Sequence, residues 1–565
     1  MILDPLPALA LGLIAVLLPL LSALLPGRDR PLALLPLAAV PALLLALLAP
    51  SGSVDLPGLF LGARFGLGDG MRGVLLFSAL LWLAAGLHAC GYLRDDPRRD
   101  RFRRFWCAAL TGNIGLLLAQ DMASFAVCFT LMGLSAYGLV VHAGTPAVRR
   151  AGRVYLALVV LGEVLLFAAI VLLWQSSGSL LFADLHRVAL APAEGAVGIA
   201  FACVVLAFGI KAGLLPLHVW LPLAHPAAPT PASAVLSGAM IKAGLVGWLH
   251  FLPAGGSMPI VSTIGEGLLA AGLLGAFAGV VLGLLQREAK AALAYSSISQ
   301  MGLITVAVGA ALARPESAPA LLAAALLYAF HHGLAKAGLF LGVSLAGAGS
   351  QAWRRLWWAG MVLMALSLAG APFTSGQLAK TALKSALPAD WTMLPLLLGL
   401  AASGTLLLMA RSLALMHRPD AAPRRSRPWS EWLGWSLLLG LGMSAAFWLT
   451  PGAGVDGQSL WPLLLGALVL LLALAIRRHA PSIPLPRVPP GDLLALAPML
   501  GRGLHRWWPR DSAAKPAPAR REGMPGWRRG IVRLRRAEPW LARYVGVAAA
   551  LLGLALAAAG FARTA

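Results

Sequence analysis

The chain has 565 residues, of which 59% are hydrophobic and 12% are charged, and its mean hydropathy is +0.80. Soluble domains carry about twice that charged fraction, so the composition excludes a set of soluble domains and indicates a polytopic, all-α membrane protein. The net charge of +23 does not indicate nucleic-acid binding, because the arginines lie in short loops and one late basic segment, as the positive-inside rule produces.

The four cysteines give no sign of redox or metal chemistry. Cys90, Cys107, Cys128 and Cys203 lie apart in apolar runs and form neither a CxxC pair nor a metal-ligand spacing, which favours a role as small packing residues. The sequence also contains no iron–sulfur, haem, flavin or nucleotide motif. We therefore expect no catalytic, metal-binding or cofactor-binding residue in this chain, and we expect any redox chemistry to belong to partner subunits.

Apolar runs long enough to cross a bilayer, about 20 residues each, predict about 14 to 16 transmembrane helices. The first run lacks a basic n-region and a convincing cleavage site, which favours a retained helix over a signal peptide. The runs lie at 6–26, 31–50, 73–92, 103–120, 122–142, 154–174, 195–215, 232–252, 262–285, 290–312, 318–346, 355–375, 392–416, 431–450, 459–476 and 543–562.

The basic residues predict the orientation of these helices. Each cluster follows an odd-numbered run, so those loops are expected in the cytoplasm and the N-terminus outside. The chain is then a multi-pass protein of the inner (plasma) membrane. The clusters comprise Arg28 and Arg30; Arg94, Arg98, Arg99, Arg101, Arg103 and Arg104; Arg149, Arg150 and Arg153; Arg287 and Lys290; Arg354 and Arg355; and Arg418, Arg424, Arg425 and Arg427.

Two features precede the most informative part of the chain. The loop 51–70 is rich in glycine, faces outward on this count, and has the composition of a short hairpin. Further on, Glu163 is a single carboxylate within the apolar run LVVLGEVLLF. An ionisable residue inside a membrane helix is a candidate functional residue.

The stretch from Gly209 to His250 holds two apolar segments on either side of a break rich in proline and histidine. Each segment carries one lysine, Lys211 or Lys242, in an otherwise uncharged run. A lysine near the middle of a membrane helix costs about 2.5–3.5 kcal/mol on insertion scales and usually faces a bundle interior or a water-filled cavity. Pro216 has no N–H and clashes with the carbonyl four residues earlier, so we expect a helix break there. This pattern predicts a place where a proton moves; the alternative is a snorkelling lysine and a helix-ending proline.

The runs between 290 and 375 repeat this plan. His332 and Lys336 are four residues apart and therefore share one helix face, and a histidine can take and give a proton near neutral pH. We interpret His331 as a polar contact in the core. Pro372 predicts a second helix break, with Lys380 following it.

The segment 477–542 is rich in arginine, proline and tryptophan and is cytoplasmic on the loop count. Its stretches mix leucine, isoleucine and tryptophan with arginine, as interfacial amphipathic helices do. The composition predicts either short helices along the membrane surface or a basic linker lying on anionic lipid.

The most specific pattern is Lys211 followed by LLPLHVWLP, then AHPAAPTPASAVLSG, then Lys242. It resembles the antiporter-like, proton-conducting membrane subunits of respiratory complex I. The same family includes the large membrane subunits of hydrogenase-4 and formate hydrogenlyase, and subunits of Mrp-type sodium/proton antiporters. The wording AHPAAPTPASAVLSGAMIK is most similar to the hydrogenase-4 component B type, and the resemblance covers roughly residues 60–415.

This resemblance implies a fold of two inverted five-helix repeats with broken helices. Residues 1–102 would hold three N-terminal helices, 103–252 the first repeat and 262–416 the second. Residues 417–565 would hold the C-terminal helices and the basic amphipathic cytoplasmic segment 477–542.

The resemblance also implies a site, with one departure. In the family, a glutamate on the helix at 122–142 pairs with the lysine at position 211, but the matching residue here is Thr130. We predict that Glu163 replaces the missing glutamate as the partner of Lys211; the alternative is a buried structural glutamate.

The remaining site residues match the family more directly. His332 and Lys336 match its His/Lys pair, and Lys380 matches the charged residue after the second break. The predicted proton pathway comprises Glu163, Lys211, His218, His225, Lys242, His332, Lys336 and Lys380, with helix breaks at Pro216 and Pro372.

The function implied by the resemblance is proton translocation by a non-catalytic membrane subunit of a complex I-like or hydrogenase-linked redox complex. Its partners would be the other membrane subunits and the lipid bilayer. Two other functions stay open: a subunit of a multi-subunit sodium/proton antiporter, and a membrane partner of an inorganic-carbon uptake system. An inactive scaffold subunit is a further alternative, given Thr130.

Overall fold

The computed structural model describes residues 5–24, 31–188, 194–256, 258–417, 428–449, 457–479 and 488–491. The elements below belong to one compact unit, Met1–Pro490, and the rest of the chain lies almost entirely outside the described residues. The described residues are mostly helical, and their two strands form a single hairpin.

The N-terminal part of the chain consists of short helices, the hairpin and one long helix. Its elements are α1 (Pro5–Leu24), α2 (Leu34–Leu37), α3 (Val40–Leu48), β1 (Gly52–Leu56), β2 (Ala63–Leu67) and α4 (Asp69–Tyr92).

A first group of helices follows. It comprises α5 (Arg99–Leu118), α6 (Met122–Val140), α7 (Pro146–Ser177), α8 (Phe182–Val188), α9 (Glu194–Ala212), a 3₁₀ turn (Leu217–Trp220), α10 (Leu221–Ala227), α11 (Thr230–Val235), a π-helical turn (Leu236–Met240) and α12 (Lys242–Phe251).

A second group completes the described part. It comprises α13 (Pro259–Leu284), α14 (Ala289–Ala313), a 3₁₀ turn (Pro315–Ser317), α15 (Ala318–Leu345), α16 (Gln351–Ala369), α17 (Ser375–Ser385), α18 (Met393–Met416), α19 (Trp429–Leu449) and α20 (Gly457–His479).

The prediction of an all-α, polytopic membrane protein is confirmed. In the described ranges, a helix lies at each predicted run from the first to the one at 459–476. The run 543–562 and most of the segment 477–542 lie outside the described residues. By length and hydropathy, nine helical stretches of the described residues can cross a membrane. The first turns of α5 and α16 carry arginines, which lower the mean hydropathy of these two helices.

The two groups of helices follow one order. Each begins with three long helices, α5 to α7 in the first group and α13 to α15 in the second. An interrupted helix comes next, α9 with α10 in the first group and α16 with α17 in the second. The next helix is α11 and α12 joined by the π-helical turn in the first group and α18 in the second, which continues with α19 and α20.

The loop 51–70 contains the antiparallel hairpin β1–β2. Arg64 Nε lies 2.5 Å from Asp55 Oδ1 across the two strands. The backbone N–H of Arg64 donates to Asp121 Oδ2 over 2.8 Å, and Asp121 Oδ1 accepts from the N–H of Ser124. One carboxylate therefore caps α6 and also ties the hairpin to it.

Helix α7 begins earlier than its hydropathy predicts. The apolar run starts at residue 154, but the helix starts at Pro146. The Thr145 hydroxyl accepts from the N–H of Val148, and a proline suits the first helical position, so the cap fixes the start. The arginine cluster of this segment therefore lies within the first turns of α7 rather than in a loop.

Helices α13 and α14 approach closely because both carry glycines at the contact. A Cβ on Gly302 would lie 2.5 Å from the carbonyl oxygen of Gly272, and a Cβ on Gly272 would lie 2.7 Å from the carbonyl oxygen of Gly302. Small residues permit such contacts between membrane helices. The spanning part of α14 is 100% buried, so its polar side chains face protein rather than lipid.

Candidate functional site

The first helix interruption lies directly after Lys211. Helix α9 ends one residue beyond this lysine, and Pro216 occupies the non-helical interval before the 3₁₀ turn Leu217–Trp220. Trp220 Nε1 donates to the carbonyl oxygen of Ile210 over 2.7 Å. A side chain from beyond the interruption thus satisfies a carbonyl at the end of α9.

Lys211 is a buried cation held by aromatic rings. Its side chain is in the last turn of α9, and the residue is 4% exposed. Its Nζ lies 5.8 Å from the ring centroid of Phe129 and 6.0 Å from that of Tyr155. Within the described part of the chain this Nζ makes no hydrogen bond. The rings supply cation–π attraction, and the remaining stabilisation must come from more distant charge.

That charge is Glu163 on α7. The Thr130 hydroxyl of α6 donates to Glu163 Oε2, so the carboxylate lies against the position at which the sequence resemblance led us to expect a glutamate. Glu163 and Lys211 are close enough to attract each other electrostatically. Among the described residues they form no direct ion pair and no direct hydrogen bond. The structure therefore brings the carboxylate to Thr130 and leaves a gap between it and the lysine.

Lys242 and His332 are in direct contact. Lys242 Nζ lies 2.8 Å from His332 Nδ1 and donates to the carbonyl oxygen of Ser237 over 2.7 Å. In the π-helical turn the N–H of Ile241 donates to Leu236, five residues back. An α-helix would instead use the Ser237 carbonyl. The π-helical turn therefore frees that carbonyl for the lysine.

Serine hydroxyls link this contact to Lys336. Ser237 Oγ lies 2.8 Å from Ser297 Oγ, and Ser297 donates to the carbonyl oxygen of Leu293. Lys336 Nζ donates to the same carbonyl over 2.7 Å and to the Ser296 hydroxyl. Ser237 thus contacts Lys242 through its backbone carbonyl and, through its hydroxyl, the serines of α14 that lie beside Lys336.

His225 lies within electrostatic range of three lysines. It is fully buried and stacks on Phe340, with ring centroids 4.5 Å apart. The charges of Lys336, Lys290 and Lys242 all reach it. Neither ring nitrogen has a hydrogen-bond partner among the described residues, so the site has room in its hydrogen bonding for water or a transferred proton.

Two further residues lie at the edges of this cluster. His218 is fully buried in the 3₁₀ turn after the first interruption, with its ring centroid 6.3 Å from that of Tyr295. Lys290, near the start of α14, donates to the carbonyl oxygen of Ala228 at the end of α10 over 2.7 Å. Lys290 thus joins the two groups of helices on the arginine-bearing side of the bundle.

The second interruption repeats the arrangement of the first. Helix α16 ends at a C-cap, Gly370, whose φ of +94° is readily adopted by glycine. Pro372 follows, and α17 begins at residue 375. Lys380 Nζ donates to the carbonyl oxygen of Leu368 over 2.7 Å. As at the first interruption, a side chain from the second half-helix satisfies a carbonyl of the first.

His331 has the polar contact that the sequence suggests. Its Nδ1 lies 2.9 Å from Ser375 Oγ, and that hydroxyl donates to the carbonyl oxygen of Gly442. Because a hydroxyl has one proton to donate, His331 Nδ1 must be the donor to Ser375. This fixes the tautomer and leaves His331 Nε2 as an acceptor.

The sequence analysis missed a polar chain beside Lys380. Lys380 Nζ lies 5.8 Å from the ring centroid of Tyr328, and the Tyr328 hydroxyl donates to Gln300 Oε1 over 2.9 Å. Gln300 Nε2 donates to Thr405 Oγ1 over 3.0 Å. The signal was a tyrosine one turn before the histidine pair, but sequence spacing cannot show the contacts with two other helices.

A cavity of about 650 Å³, here called the vestibule, lies at the arginine-bearing ends of several helices. Lys290 and Ser344 form part of its wall. Three exposed arginines also line it, and these form no ion pair among the described residues: Arg287, Arg354 and Arg355. The vestibule therefore brings open space to Lys290.

A second buried pair also escaped the sequence analysis. His88 of α4 and Glu431 of α19 are fully buried, with His88 Nε2 3.6 Å from Glu431 Oε2. Both lie near the ends of apolar runs, where charged residues ordinarily reach the membrane surface. The burial of these two residues could therefore not be predicted from their positions in the sequence.

Three buried lysines of the site lack carboxylate partners. In the described ranges, Lys242, Lys336 and Lys380 form no ion pair with a carboxylate, and Lys242 and Lys336 repel each other when both are charged. Holding three unpaired cations in a low-dielectric interior is costly.

Comparisons with known proteins identify relatives of the chain and structures of similar fold. Residues 119–404 match the family described as NADH:quinone oxidoreductase/Mrp antiporter, TM. Over 282 residues the chain is 33% identical to hydrogenase-4 component B from Escherichia coli (strain K12), an alignment that covers 48% of this chain and 41% of that protein. The chain thus spans about two fifths of the length of this relative.

Two solved structures have a similar fold. One is the Mrp complex from Dietzia sp. DQ12-45-1b, with a TM-score of 0.69 at 22% identity, covering 99% of this chain and 70% of the matched chain. The other is the membrane-bound sulfane sulfur reductase (MBS), an archaeal respiratory membrane complex, with a TM-score of 0.68 at 21% identity. It covers 97% of this chain and 99% of the matched chain.

Proposed function

Because the chain belongs to the NADH:quinone oxidoreductase/Mrp antiporter transmembrane family, we propose that it moves protons across the membrane as one subunit of a complex I-like or hydrogenase-linked redox complex. The partners would be other membrane subunits, and one of the complex's other subunits would carry the redox chemistry. The redox energy would reach this chain through those partners. The proposed setting is the plasma membrane, with the N-terminus outside.

The observation that carries this proposal is the set of buried lysines without carboxylate partners. Lys242, Lys336 and Lys380 are buried, and their Nζ atoms contact backbone carbonyls, a serine hydroxyl and the His332 ring. A structural cation is ordinarily paired when buried. Unpaired bases in contact with proton acceptors are suited to exchanging protons.

A proton step can be assigned at the closest contact. A charged Lys242 donates to His332 Nδ1, which must then be the bare nitrogen of a neutral imidazole. Transfer along this 2.8 Å contact leaves a neutral lysine and an imidazolium. The repulsion between the Lys242 and Lys336 charges opposes full protonation of both. Proton arrival at one lysine therefore favours release from the other.

We place the two ends of the path at the vestibule and at the second interruption. Water in the vestibule would exchange protons with Lys290 and His225, and Lys380 would pass protons on beside Pro372. The pair Glu163–Lys211, in the first group of helices, would be an obligatory part of the same path. We keep the proposed division of the chain into residues 1–102, 103–252, 262–416 and 417–565. The second and third of these ranges are the two proposed repeats.

The proposal can be tested without knowing the redox partner. The full-length chain, with any subunits that co-purify, is reconstituted into liposomes, and a potassium diffusion potential is set with valinomycin. An internal pH dye then reports proton flux. Lys242→Met should abolish the flux, and the control Lys384→Met, outside the pathway, should retain it. Wild-type flux in Lys242→Met would refute the proposal.

The same liposomes distinguish the proposed function from the leading alternative, a sodium/proton antiporter subunit. A subunit of a sodium/proton antiporter should move protons when a sodium gradient is imposed at zero membrane potential. A proton-conducting subunit should respond to the potential and not to sodium. The inorganic-carbon alternative predicts that bicarbonate changes the flux, and an inactive scaffold predicts no flux under any of these conditions.

A further inference from the structure

The buried pair of His88 and Glu431 lies outside the proton path proposed above. Two glycines allow the helices that carry it, α4 and α19, to come close together. A Cβ on Gly91 would lie 2.8 Å from Glu431 Cγ, and a Cβ on Gly434 would lie 2.8 Å from the backbone nitrogen of His88. The lack of a side chain at these two glycines therefore makes room for the buried pair between the helices.

Hydrogen bonding defines which nitrogen of His88 can titrate. Nδ1 lies 2.9 Å from the backbone carbonyl oxygen of Glu431. A carbonyl can only accept, so Nδ1 carries a proton while this bond is kept. Nε2 is therefore the nitrogen that gains or loses a proton. It lies 2.9 Å from Ser344 Oγ and 3.6 Å from Glu431 Oε2.

Ser344 can serve both protonation states of His88. Its Oγ lies 2.9 Å from His88 Nε2 and 2.9 Å from the carbonyl oxygen of Leu341. When Nε2 is bare, the hydroxyl donates to it. When Nε2 is protonated, it donates to Oγ and the hydroxyl donates to Leu341 instead. Rotation of one O–H bond is enough, and no heavy atom has to move.

Ser344 also lines the vestibule, which connects this pair to a source of protons. We propose that His88 and Glu431 form a second proton-binding site that loads from the vestibule through Ser344. A hydronium ion in the vestibule gives a proton to Ser344 Oγ, leaving water, while the serine gives its own proton to His88 Nε2. The serine ends unchanged, and the Glu431 carboxylate balances the imidazolium.

In the described part of the chain, His88 is faced by groups from three helices. Glu431 lies on α19, Ser344 on α15, and the Tyr92 ring of α4 itself stacks on His88 with centroids 6.4 Å apart. A carboxylate at 3.6 Å favours the protonated imidazole. The inference does not depend on proton transport by this chain, because it concerns binding of a proton and not its passage across the membrane.

The test is a titration of His88 in the full-length chain. Histidine labelled with ¹⁵N in the ring is incorporated, the chain is placed in liposomes, and solid-state NMR spectra are taken from about pH 5 to 9, the range in which histidines titrate. The signal absent from His88→Gln identifies the residue. We expect a neutral form protonated at Nδ1 at high pH, converting to the imidazolium as pH falls.

Two further variants test the partners. Glu431→Gln should lower the proton affinity of this histidine by about tenfold or more, because a balancing charge in direct range is lost. The same shift identifies the signal if His88→Gln does not fold. Ser344→Ala should slow proton exchange of the signal by about tenfold or more. His142→Gln, which removes another histidine–carboxylate contact, should change neither.

Three results would overturn the proposal. A His88 signal that keeps one protonation state across the range would identify the pair as a fixed cross-link between helices. A neutral form protonated at Nε2 would contradict the assigned tautomer. Unchanged exchange in Ser344→Ala would exclude the serine as the route from the vestibule.

Discussion

Replacing Glu163 by glutamine tests whether the displaced carboxylate supports Lys211. The change keeps the size of the side chain and its hydrogen bond with Thr130, but removes the negative charge. At about 6 Å, the separation that one bridging water gives, two unit charges attract by about 3 kcal/mol at an effective dielectric constant of about 20. Loss of that attraction corresponds to roughly a hundredfold weaker hold on the Lys211 proton.

Flux in the valinomycin liposome assay should therefore fall by about two orders of magnitude in Glu163→Gln, and Lys211→Ala should abolish it. Glu266→Gln is a matched control, because Glu266 is an exposed carboxylate on another membrane helix, α13. The double variant Thr130→Glu with Glu163→Gln restores the family arrangement and should recover part of the flux. If Glu163→Gln keeps more than half of the wild-type flux while Lys211→Ala has none, the carboxylate is not the partner of the lysine.

Three other predictions concern stability, pH and topology. Gly302→Leu should lower the thermal unfolding midpoint by several degrees, since overpacking of a close contact typically costs about 1–3 kcal/mol, whereas Gly440→Leu, at a position with open space, should have little effect. Burial raises the pKa of Asp96, but the hydrogen bonds from His142 and from the backbone N–H of Arg98 outweigh it, so this pKa lies below its ordinary value of 3.8. The contact therefore stabilises the fold above about pH 4 and is lost as pH falls through the lowered pKa, so Asp96→Asn should destabilise the chain at pH 7 and have progressively less effect in acid. A cysteine placed in the loop 93–98 should react with membrane-impermeant reagent only in inside-out vesicles, and reaction in right-side-out vesicles would overturn the proposed orientation.

Hydropathy alone located the helices well, because a bilayer imposes both the length and the apolar character of a spanning segment. It placed the start of α7 too late, because the Thr145 cap and Pro146 set that boundary and neither is apolar. The two helix interruptions could be anticipated, since a proline within an apolar run has a strong local effect on the backbone. Helix boundaries of this kind can be predicted from single residues, because their effect on the backbone is local.

The contacts of the site were harder to predict. Glu163 could be singled out as an isolated carboxylate, but its hydrogen bond with Thr130 depends on how α6 packs against α7. The hydrogen bond from Lys242 to the Ser237 carbonyl could not be predicted, because a π-helical turn leaves no clear periodic pattern in an apolar stretch. The hydrogen bonds of Gln300 with Tyr328 and Thr405 could not be predicted either, because they depend on the packing of three helices.

The π-helical turn at Leu236–Met240 also has a consequence for how this segment tolerates changes of length. Such a turn holds one residue more than an α-helical turn. Deleting Ala239 would let the segment close into a regular α-helix while leaving α11 and α12 on their present axes. The Ser237 carbonyl would then be taken up by a backbone N–H, and Lys242 would lose its acceptor there. The extra residue therefore works as a spacer that sets the register between the lysine and the serines, and a one-residue gap here in an alignment would separate relatives with this lysine contact from relatives without it.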